Sequence, residues 1–464
     1  MELLQVSPSA LLTLPAFVLA IGLLIAVHEY GHYRVAVACG VRVLRFSIGM
    51  GRPLWRHQAN PQATEFVLGV WPIGGYVQML DEREGPVPPH ERHRAFNTQS
   101  LARRASIVAA GPIANLLLAV VLYTLVGWIG FEQPAPVLAA PPENSLAANA
   151  TLRAADRVVS ARAGDGEWEP IPSYERLRWV LTQSALKAQD LELQVKAGDR
   201  ELLRTLRLPL ASLQPDQLGP HWLESAGFVG VYSRPVLGEV LPEGAAARAG
   251  LKAGDEVLAV QGRFIEDALQ LRQIIRQSVQ PDGRVVPQRW RVLRDGQVSE
   301  FTVHPTVAQD GGHSVGRIGA FVGAAPEMVQ VRYDVFAALV RAVGQTAEMS
   351  TLTLTMLGKV FTGQASVKNI SGPLTIADYA GKSAHVGLVP YLMFLALISV
   401  SLGVLNLLPL PVLDGGHLMY YLWEALTGAP VSLAWMQRFQ QGGMAVLVVL
   451  MSLALFNDLN RLLG

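Results

Sequence analysis

Two histidines and a glutamate lie close together at the end of the first apolar stretch, in the run His28-Glu29-Tyr30-Gly31-His32. On a helix, residues four positions apart project from one face, so His28 and His32 can hold one metal ion together. The pattern HExxH is typical of zinc-dependent hydrolysis, in which the glutamate acts on an activated water. The run therefore predicts a catalytic metal site with Glu29 as the general base.

A catalytic zinc site needs a third protein ligand and an open position for water. The third apolar stretch ends on the run NLLPLPVLDGGH at 406–417, in which Asp414 is the first acid. Asp414 is the predicted third ligand. His417, three residues further along a possible continuing helix, is the alternative.

The same run carries two prolines, which break a helix and free backbone groups. Irregular backbone at membrane depth is tolerated only where protein or water lines it, so Pro409 and Pro411 are predicted to border the site. Asn406 is predicted to hydrogen-bond the substrate backbone or a developing oxyanion.

The elements that must position these groups are membrane spans. Of the 464 residues, 50% are hydrophobic and only 16% are charged, which is less charge than a soluble enzyme carries. About 20 helical residues cross a bilayer core of about 30 Å. Four stretches of this length lack Asp, Glu, Lys and Arg: 5–27, 105–131, 383–413 and 439–457. The chain is predicted to be a polytopic α-helical membrane protein with four spans, and its net charge of +1 gives no indication of nucleic-acid binding.

The segment between the first two spans is rich in arginine and is predicted to be cytoplasmic, because positive residues stay inside. Both termini and the long region 132–382 then lie on the opposite side. Within the cytoplasmic segment, residues 64–79 are rich in β-branched, aromatic and glycine residues and predict short strands. The arginines are Arg34, Arg42, Arg45, Arg52, Arg56, Arg83, Arg92, Arg94, Arg103 and Arg104.

The region between the second and third spans contains a weak internal repeat. The run AGLKAGDEVL at 249–258 aligns with the run ATLRAADRVV at 150–159. The later copy resembles the AGLKxGDxI signature of PDZ domains, which bind an extended peptide or a free C-terminus as an added strand. In the earlier copy Thr151 and Ala155 replace the two glycines. Two extracytoplasmic α+β PDZ-like domains are predicted, acting as a peptide sensor, a size filter or bulky spacers.

Residues 333–361 show a helical pattern, but Arg341, Glu348 and Lys359 make it a poor span. An amphipathic helix on the membrane surface or against the spans is predicted, with a soluble core helix as the alternative. The predicted organisation is a first transmembrane helix at 5–33, a cytoplasmic loop at 34–104, a second helix at 105–131, PDZ-like domains at 132–225 and 226–310, a membrane-proximal region at 311–382, a third helix at 383–413, a cytoplasmic loop at 414–438 and a fourth helix at 439–457.

HEYGH at the end of the first span, NxxPxPxLDGG at the end of the third, and PDZ-like modules between the second and third together resemble the site-2 protease family of intramembrane metalloproteases. The likeness covers nearly the whole chain. It implies zinc held by His28, His32 and Asp414, in a Gram-negative inner membrane. It also implies that the strands around 64–79 form a membrane-associated β-region that receives substrate as an added strand.

The implied reaction is hydrolysis of a peptide bond within the transmembrane segment of a single-span protein. Typical substrates are an anti-sigma factor already trimmed outside the membrane, as in an envelope stress response, and leftover signal peptides. One alternative is a PDZ-bearing scaffold with a structural metal, which has no use for a general base such as Glu29. A transporter is the other alternative, and four spans with no inverted repeat argue against it.

Overall fold

The computed structural model describes residues 8–197, 202–213, 221–280, 284–310, 313–362 and 372–463. It contains two compact units. The helical unit comprises Met1–Phe131 and Arg332–Gly464, and the α+β unit comprises Glu132–Val331.

Helices and strands follow one another along the chain in three groups. The first part of the helical unit contains α1 (Pro8–Ala38), β1 (Val43–His57), β2 (Glu65–Met79) and α2 (Leu101–Ile129). The α+β unit contains β3 (Phe131–Pro134, which begins one residue before it), α3 (Leu146–Asn149), β4 (Asp156–Ala163), β5 (Glu169–Pro170), α4 (Tyr174–Leu186), β6 (Leu191–Ala197), β7 (Leu203–Leu208), α5 (Trp222–Ser225), β8 (Leu237–Val240), α6 (Ala245–Arg248), β9 (Glu256–Val260), β10 (Arg263–Phe264), α7 (Ala268–Arg276), β11 (Gln288–Arg294), β12 (Gln297–Val303), β13 (Thr306–Asp310), β14 (His313–Arg317), β15 (Ala320–Val322) and β16 (Met328–Val331). The helical unit ends with α8 (Val335–Phe361), α9 (Pro373–Val386), α10 (Leu388–Asn406), α11 (Asp414–Thr427) and α12 (Leu433–Leu463).

Four helices of the described chain are long and apolar enough to cross a membrane: Leu12–Ala38, Leu101–Ile129, Leu388–Asn406 and Ala434–Asn460. The predicted polytopic membrane architecture is therefore confirmed. Small side chains let the spans approach closely, as is usual for helices that pack in lipid. Ala20, Ala119 and Ala396, from α1, α2 and α10, all lie in one buried cluster.

The third span differs from the predicted helix at 383–413. It is divided at Gly387, whose φ of 146° lies outside the helical region, and α10 ends at Asn406. The segment 414–438, predicted as a loop, contains α11, and α12 begins six residues before the predicted fourth span at 439. The glycine pair at 415–416 disfavours a helix by propensity, but packing of the preceding turn overrides it, as described below.

The segment between the first two spans folds into a sheet larger than the predicted strands at 64–79, because β1 also contributes 15 residues. Residues 45–48 pair with 75–78 on one side and with 65–68 on the other. Residues 75–79 thus form an outer segment. In the part of the chain that the structure describes, no further strand pairs with its other side.

Helix α8 confirms a helix within 333–361 and shows which face it buries. Its buried side chains are small and include Ala338, Ala342 and Thr346, one turn apart. Added to Gly127 of α2, a Cβ atom would lie 3.1 Å from the Ala338 Cβ, so the two helices are in close contact. Large apolar side chains such as Phe336 point away from the helical unit.

The α+β unit contains two four-stranded sheets of the same strand order, β5-β4-β6-β7 and β10-β9-β11-β12. Each has its own buried core, with α4 in the first and α7 in the second. The predicted end of the second domain at residue 310 is wrong. Ile318 and Val322 lie in its core, and β15 pairs with β8. The segment 311–323 lacks clear strand alternation, which is why this late strand was not predicted.

Similar aspartate–arginine contacts appear in the two halves of the sequence repeat, although Arg204 lies on β7 and Arg294 on β11, which is the counterpart of β6. Asp156 accepts hydrogen bonds from the Arg153 N–H at 2.9 Å and from the Arg204 guanidinium at 2.6 Å. In the second half, Asp255 accepts from the Lys252 N–H at 2.8 Å and from Arg294 at 2.6 Å. Both carboxylates are 1% exposed. Each aspartate therefore joins the loop before a strand to an arginine of the same sheet.

The two glycines of the later copy, Gly250 and Gly254, have φ values of 82° and 92°, and their counterparts Thr151 and Ala155 have φ values of 65° and 64°. In this left-handed region of backbone conformation, a residue with a side chain loses about 1–2 kcal/mol of folding stability. Glycine avoids that strain but costs about 0.5–1 kcal/mol because it loses more chain entropy on folding. We expect Ala155→Gly to raise the free energy of unfolding of a 132–331 fragment by about 0.5–1 kcal/mol in chemical denaturation.

The matched control for this prediction is Gly254→Ala, where an added Cβ would meet no atom within 4 Å. Only the backbone conformation then opposes the alanine, so this variant should lose about the same free energy that Ala155→Gly gains. A fragment in which Ala155→Gly is less stable than the parent would contradict the strain at this position.

Candidate metal centre

The structure brings together the three residues predicted to hold a metal, although they come from opposite ends of the chain. The His28 Nε2 lies 3.2 Å from the His32 Nε2, and Asp414 Oδ2 lies 3.2 and 3.5 Å from these two nitrogens. The side chains are 14%, 11% and 20% exposed in the order His28, His32 and Asp414. The centre is thus largely shielded but open on one side.

A backbone carbonyl of helix α2 orients the His32 ring through Nδ1. The ring Nδ1 lies 2.8 Å from the Ile107 carbonyl oxygen, to which it donates, so the Nε2 lone pair is free to bind a metal. Gly111, one turn further along α2, faces the same ring, and a Cβ there would lie 2.3 Å from the His32 Nε2. Glycine at this position therefore makes room for the ligand atom.

Asp414 is positioned by the turn that precedes it. Leu413 is the N-cap of α11, so Asp414 occupies the first turn, where the helix dipole favours a carboxylate. Cβ atoms added to Gly415 and Gly416 would lie 2.2 Å from the Leu408 carbonyl oxygen and 2.3 Å from the Leu410 carbonyl oxygen. The glycine pair lets the proline-containing turn fold back on α11, which directs Asp414 toward the histidines.

The three ligand atoms fit a tetrahedral zinc ion. Zinc binds imidazole nitrogen and carboxylate oxygen at about 2.0–2.2 Å, which puts tetrahedral ligands about 3.3–3.5 Å apart. The observed separations of 3.2 to 3.5 Å agree with this spacing. Two histidines and one carboxylate are also a known donor set of catalytic zinc sites.

A cavity of about 370 Å³ opens beside the centre, and its wall combines residues of α1, β2, the segment 81–96, α2 and α11. Glu29 lines it, and β2 comes so close to Glu29 that a Cβ on Gly75 would lie 2.9 Å from its Cγ. Among the described residues, none forms a hydrogen bond or ion pair with the Glu29 carboxylate. The cavity is lined by His28, Glu29, His32, Gly75, Tyr76, Val77, Met79, Asp81, Arg83, Glu84, Phe96, Ile107, Val108, Asp414, His417 and Tyr421.

The other acids of the cavity are poorer general bases. Asp81 is held by Arg83, with Oδ2 2.5 Å from the arginine Nη2. Burial raises the pKa of Asp81, but the hydrogen bonds and charge of Arg83 outweigh burial and hold that pKa below its usual range. Asp414 faces the two histidines, and Glu84 is exposed at the rim. Glu29 is therefore the cavity carboxylate best able to take a proton.

The other predicted site residues lie outside the cluster of three ligand atoms. Asn406 ends α10, Pro409 and Pro411 lie in the turn before α11, and none of the three is among the cavity-lining residues named above. His417 lines the cavity but is not part of the group whose ligand atoms lie within 4.8 Å of one another. The geometry thus favours Asp414 over His417, and the substrate-binding role of Asn406 stays a prediction.

Sequence reasoning missed the contribution of α2. Asn115, fully buried, places its amide nitrogen 3.3 Å from the His28 Nδ1. One signal could have found it, because Asn115 is the lone carboxamide in the charge-free stretch 105–131 and polar groups inside a span are functional by default. The Ile107 contact is made by a backbone carbonyl, which every residue has, so no residue type in the sequence indicates it.

Comparison with known proteins gives long matches. Residues 16–450 match the sequence profile of peptidase family M50. A Ralstonia nicotianae protein that bears the name of a zinc metalloprotease is 42% identical over 465 residues, covering 97% of this chain and 99% of the relative. Regulator of sigma-E proteases from Salmonella typhimurium and Escherichia coli are 40% and 39% identical over 466 residues, covering 98% of this chain and 100% of each relative.

Proposed function

This chain belongs to peptidase family M50, and from that premise we propose that it is an intramembrane zinc metalloendopeptidase of the site-2 type. It hydrolyses a peptide bond in or near the transmembrane segment of single-span proteins. The observation that carries this proposal is the meeting of two histidines, one aspartate and one glutamate in a cavity, with the histidines and the glutamate on a helix that is long and apolar enough to cross a membrane. We propose that it acts in regulated proteolysis in an envelope stress response, with anti-sigma factors and remnant signal peptides as substrates. The names of relatives that are regulators of sigma-E support the regulatory role.

His28, His32 and Asp414 would hold the zinc in this mechanism. Bound zinc supplies Lewis-acid chemistry, which lowers the pKa of water to about 7 and polarises a carbonyl. Glu29 takes a proton from the attacking water as the water oxygen bonds to the scissile carbonyl carbon. Glu29 then gives this proton to the amide nitrogen as the C–N bond breaks, which releases an amine and a carboxylic acid.

Substrate reaches the centre as an extended chain, because a helix hides its peptide bonds within its own hydrogen bonds. The outer segment 75–79 of β2 supports this route. Gly75, Tyr76 and Val77 line the catalytic cavity, and the same residues pair on their other side with β1. A substrate strand added at this edge would pass beside Glu29.

The protein is an inner-membrane protein, and we place the sheet and the metal centre on the cytoplasmic side. The arginines between the first and second spans support this orientation through the preference of positive residues for the inside. The α+β unit and both termini then face the periplasm. The outward apolar face of α8 supports contact of that helix with lipid.

We assign the two halves of the α+β unit to PDZ-like domains. The common strand order and the matching contacts of Asp156 and Asp255 with the backbone N–H three residues earlier support a duplication. In the second half, a groove of about 490 Å³ lies between α7 and β15, lined by residues such as Ile275, Ile318 and Phe321. An apolar groove beside a strand suits an extended peptide or a C-terminus, so this half is the better candidate for peptide binding.

The test of the proposed function is metal removal and return. We expect the purified full-length protein to cleave a single-span substrate in detergent, to stop when a chelator strips its zinc, and to resume when Zn²⁺ but not Mg²⁺ is added. Cleavage products are resolved by mass spectrometry and zinc is counted in the same samples. Unchanged turnover in protein that contains no zinc would reject the mechanism.

The scaffold alternative gives a different result in the same experiment. A structural metal is needed for folding, so its removal would lower the unfolding temperature while no cleavage is seen under any condition. A PDZ-bearing scaffold would also hold peptide with the metal removed. Metal-dependent cleavage in a protein that stays folded without zinc therefore excludes the scaffold.

A further inference from the structure

Asn115 is the most deeply buried polar side chain beside the metal centre, and the proposed mechanism does not use it. It lies in the middle of α2 with an exposure of 0%. Its amide nitrogen is 3.3 Å from the His28 Nδ1, and its amide oxygen is buried and has no hydrogen-bond partner among the residues that the structure describes. A carboxamide in such surroundings is costly, so its retention needs a specific contact as the reason.

The position of Asn115 on α2 follows a regular pattern. Ile107, Gly111 and Asn115 are successive residues four apart, so they lie on one face of the helix. Ile107 accepts from the His32 Nδ1, Gly111 leaves space for the His32 Nε2, and Asn115 meets the His28 Nδ1. One face of α2 thus contacts the rear of both imidazoles.

The direction of the hydrogen bond at His28 follows from the chemistry of a metal ligand. A neutral imidazole that binds a metal through Nε2 carries its proton on Nδ1, where it is a donor. The partner of His28 Nδ1 must then be an acceptor, which the amide oxygen is and the amide nitrogen is not. A half-turn about the Cβ–Cγ bond of Asn115 exchanges the two atoms within the same space.

We propose that Asn115 is the positioning residue of His28, with its amide oxygen accepting the Nδ1–H and thereby fixing the tautomer and ring orientation that aim Nε2 at the metal. This inference rests on the proposed zinc-dependent function. Outer partners of this kind typically change metal affinity by about 10- to 100-fold when they are removed. His32 has its own acceptor in the Ile107 carbonyl, so each metal-binding imidazole is oriented separately from α2.

The experiment measures zinc affinity of the full-length protein by competition with a chromogenic chelator, together with cleavage at saturating zinc. Asn115→Leu keeps the approximate volume and removes the acceptor, so zinc affinity should fall by about 10- to 100-fold. Asn115→Asp keeps an oxygen acceptor in place and should restore zinc affinity to within a fewfold of wild type. Rescue by aspartate is the result that a merely structural asparagine would not give.

Ser399 provides the matched control in the same buried layer. Its hydroxyl donates to the Asn115 backbone carbonyl at 2.7 Å, and its exposure is also 0%. Ser399→Ala removes a polar contact between α10 and α2 without changing the side chain that faces His28. Zinc affinity should stay close to wild type in this variant, while the unfolding temperature decreases.

Each outcome decides the proposal. Wild-type zinc affinity in Asn115→Leu overturns it, and so does an Asn115→Asp protein that loses zinc as severely as the leucine variant. Should Asn115→Leu not fold, the comparison of Asn115→Asp with wild type decides alone. A wild-type protein that binds no zinc defeats the proposed function itself, which this assay reveals before any variant is compared.

Discussion

Replacing Glu29 by glutamine is expected to abolish peptide cleavage while the protein keeps its zinc. Glutamine has nearly the same shape but cannot take a proton from water, and the loss of a general base costs roughly 10²- to 10⁴-fold in rate. The three ligand atoms do not include Glu29, so zinc content should not change. Single-turnover cleavage of a membrane-span substrate, with zinc counted in the same sample, checks both expectations.

The same cavity offers a control for this change. Glu84 also lines it but is exposed at the rim and outside the cluster of ligand atoms. Glu84→Gln removes the same charge from the same cavity and should leave most of the activity. Equal losses in the two variants would mean that overall charge, not proton transfer at Glu29, controls the rate.

Replacing Asp414 by alanine is expected to release the zinc and with it all cleavage. The loss of one of three protein ligands should exceed the roughly 10- to 100-fold effect of removing an outer partner. His28 and His32 alone then face each other across 3.2 Å with no carboxylate to balance the ion. Zinc stoichiometry after gel filtration, measured beside wild type, gives the result directly.

His417→Ala separates the two candidates for the third ligand. His417 lies in the cavity without joining the cluster of ligand atoms, so its removal should leave the zinc bound. The assignment of Asp414 fails if the alanine variant at 417 loses zinc and the one at 414 retains it.

The grouping of His28, His32 and Asp414 was predictable because its signals are local. Two histidines four residues apart on a helix and a lone acid at the end of a charge-free stretch are both visible in the sequence. Their meeting in the structure depends on close contact of α1 with α2, where a Cβ on Gly31 would lie 2.4 Å from the Ala110 carbonyl oxygen. That contact joins residues far apart in the chain and has no local pattern.

Two parts of the fold escaped prediction for physical reasons. Helix α11 has two glycines directly after its first residue, Asp414. Glycines favour a loop, and their close approach to the preceding turn explains why a helix forms there. Strand β15 is three residues long, and its partner β8 lies about 80 residues earlier. Pairing at this separation is decided by the packed core, not by local propensity.

The outer segment 75–79 of β2 has a consequence for how substrates are chosen. An edge strand recognises its partner through main-chain N–H and C=O groups, which are the same in nearly every residue. Pairing with such an edge therefore discriminates little between different substrate sequences. On the proposed route of substrate entry, discrimination would therefore fall on an earlier event, the unravelling of the incoming span, and spans weakened by glycine or proline would yield first.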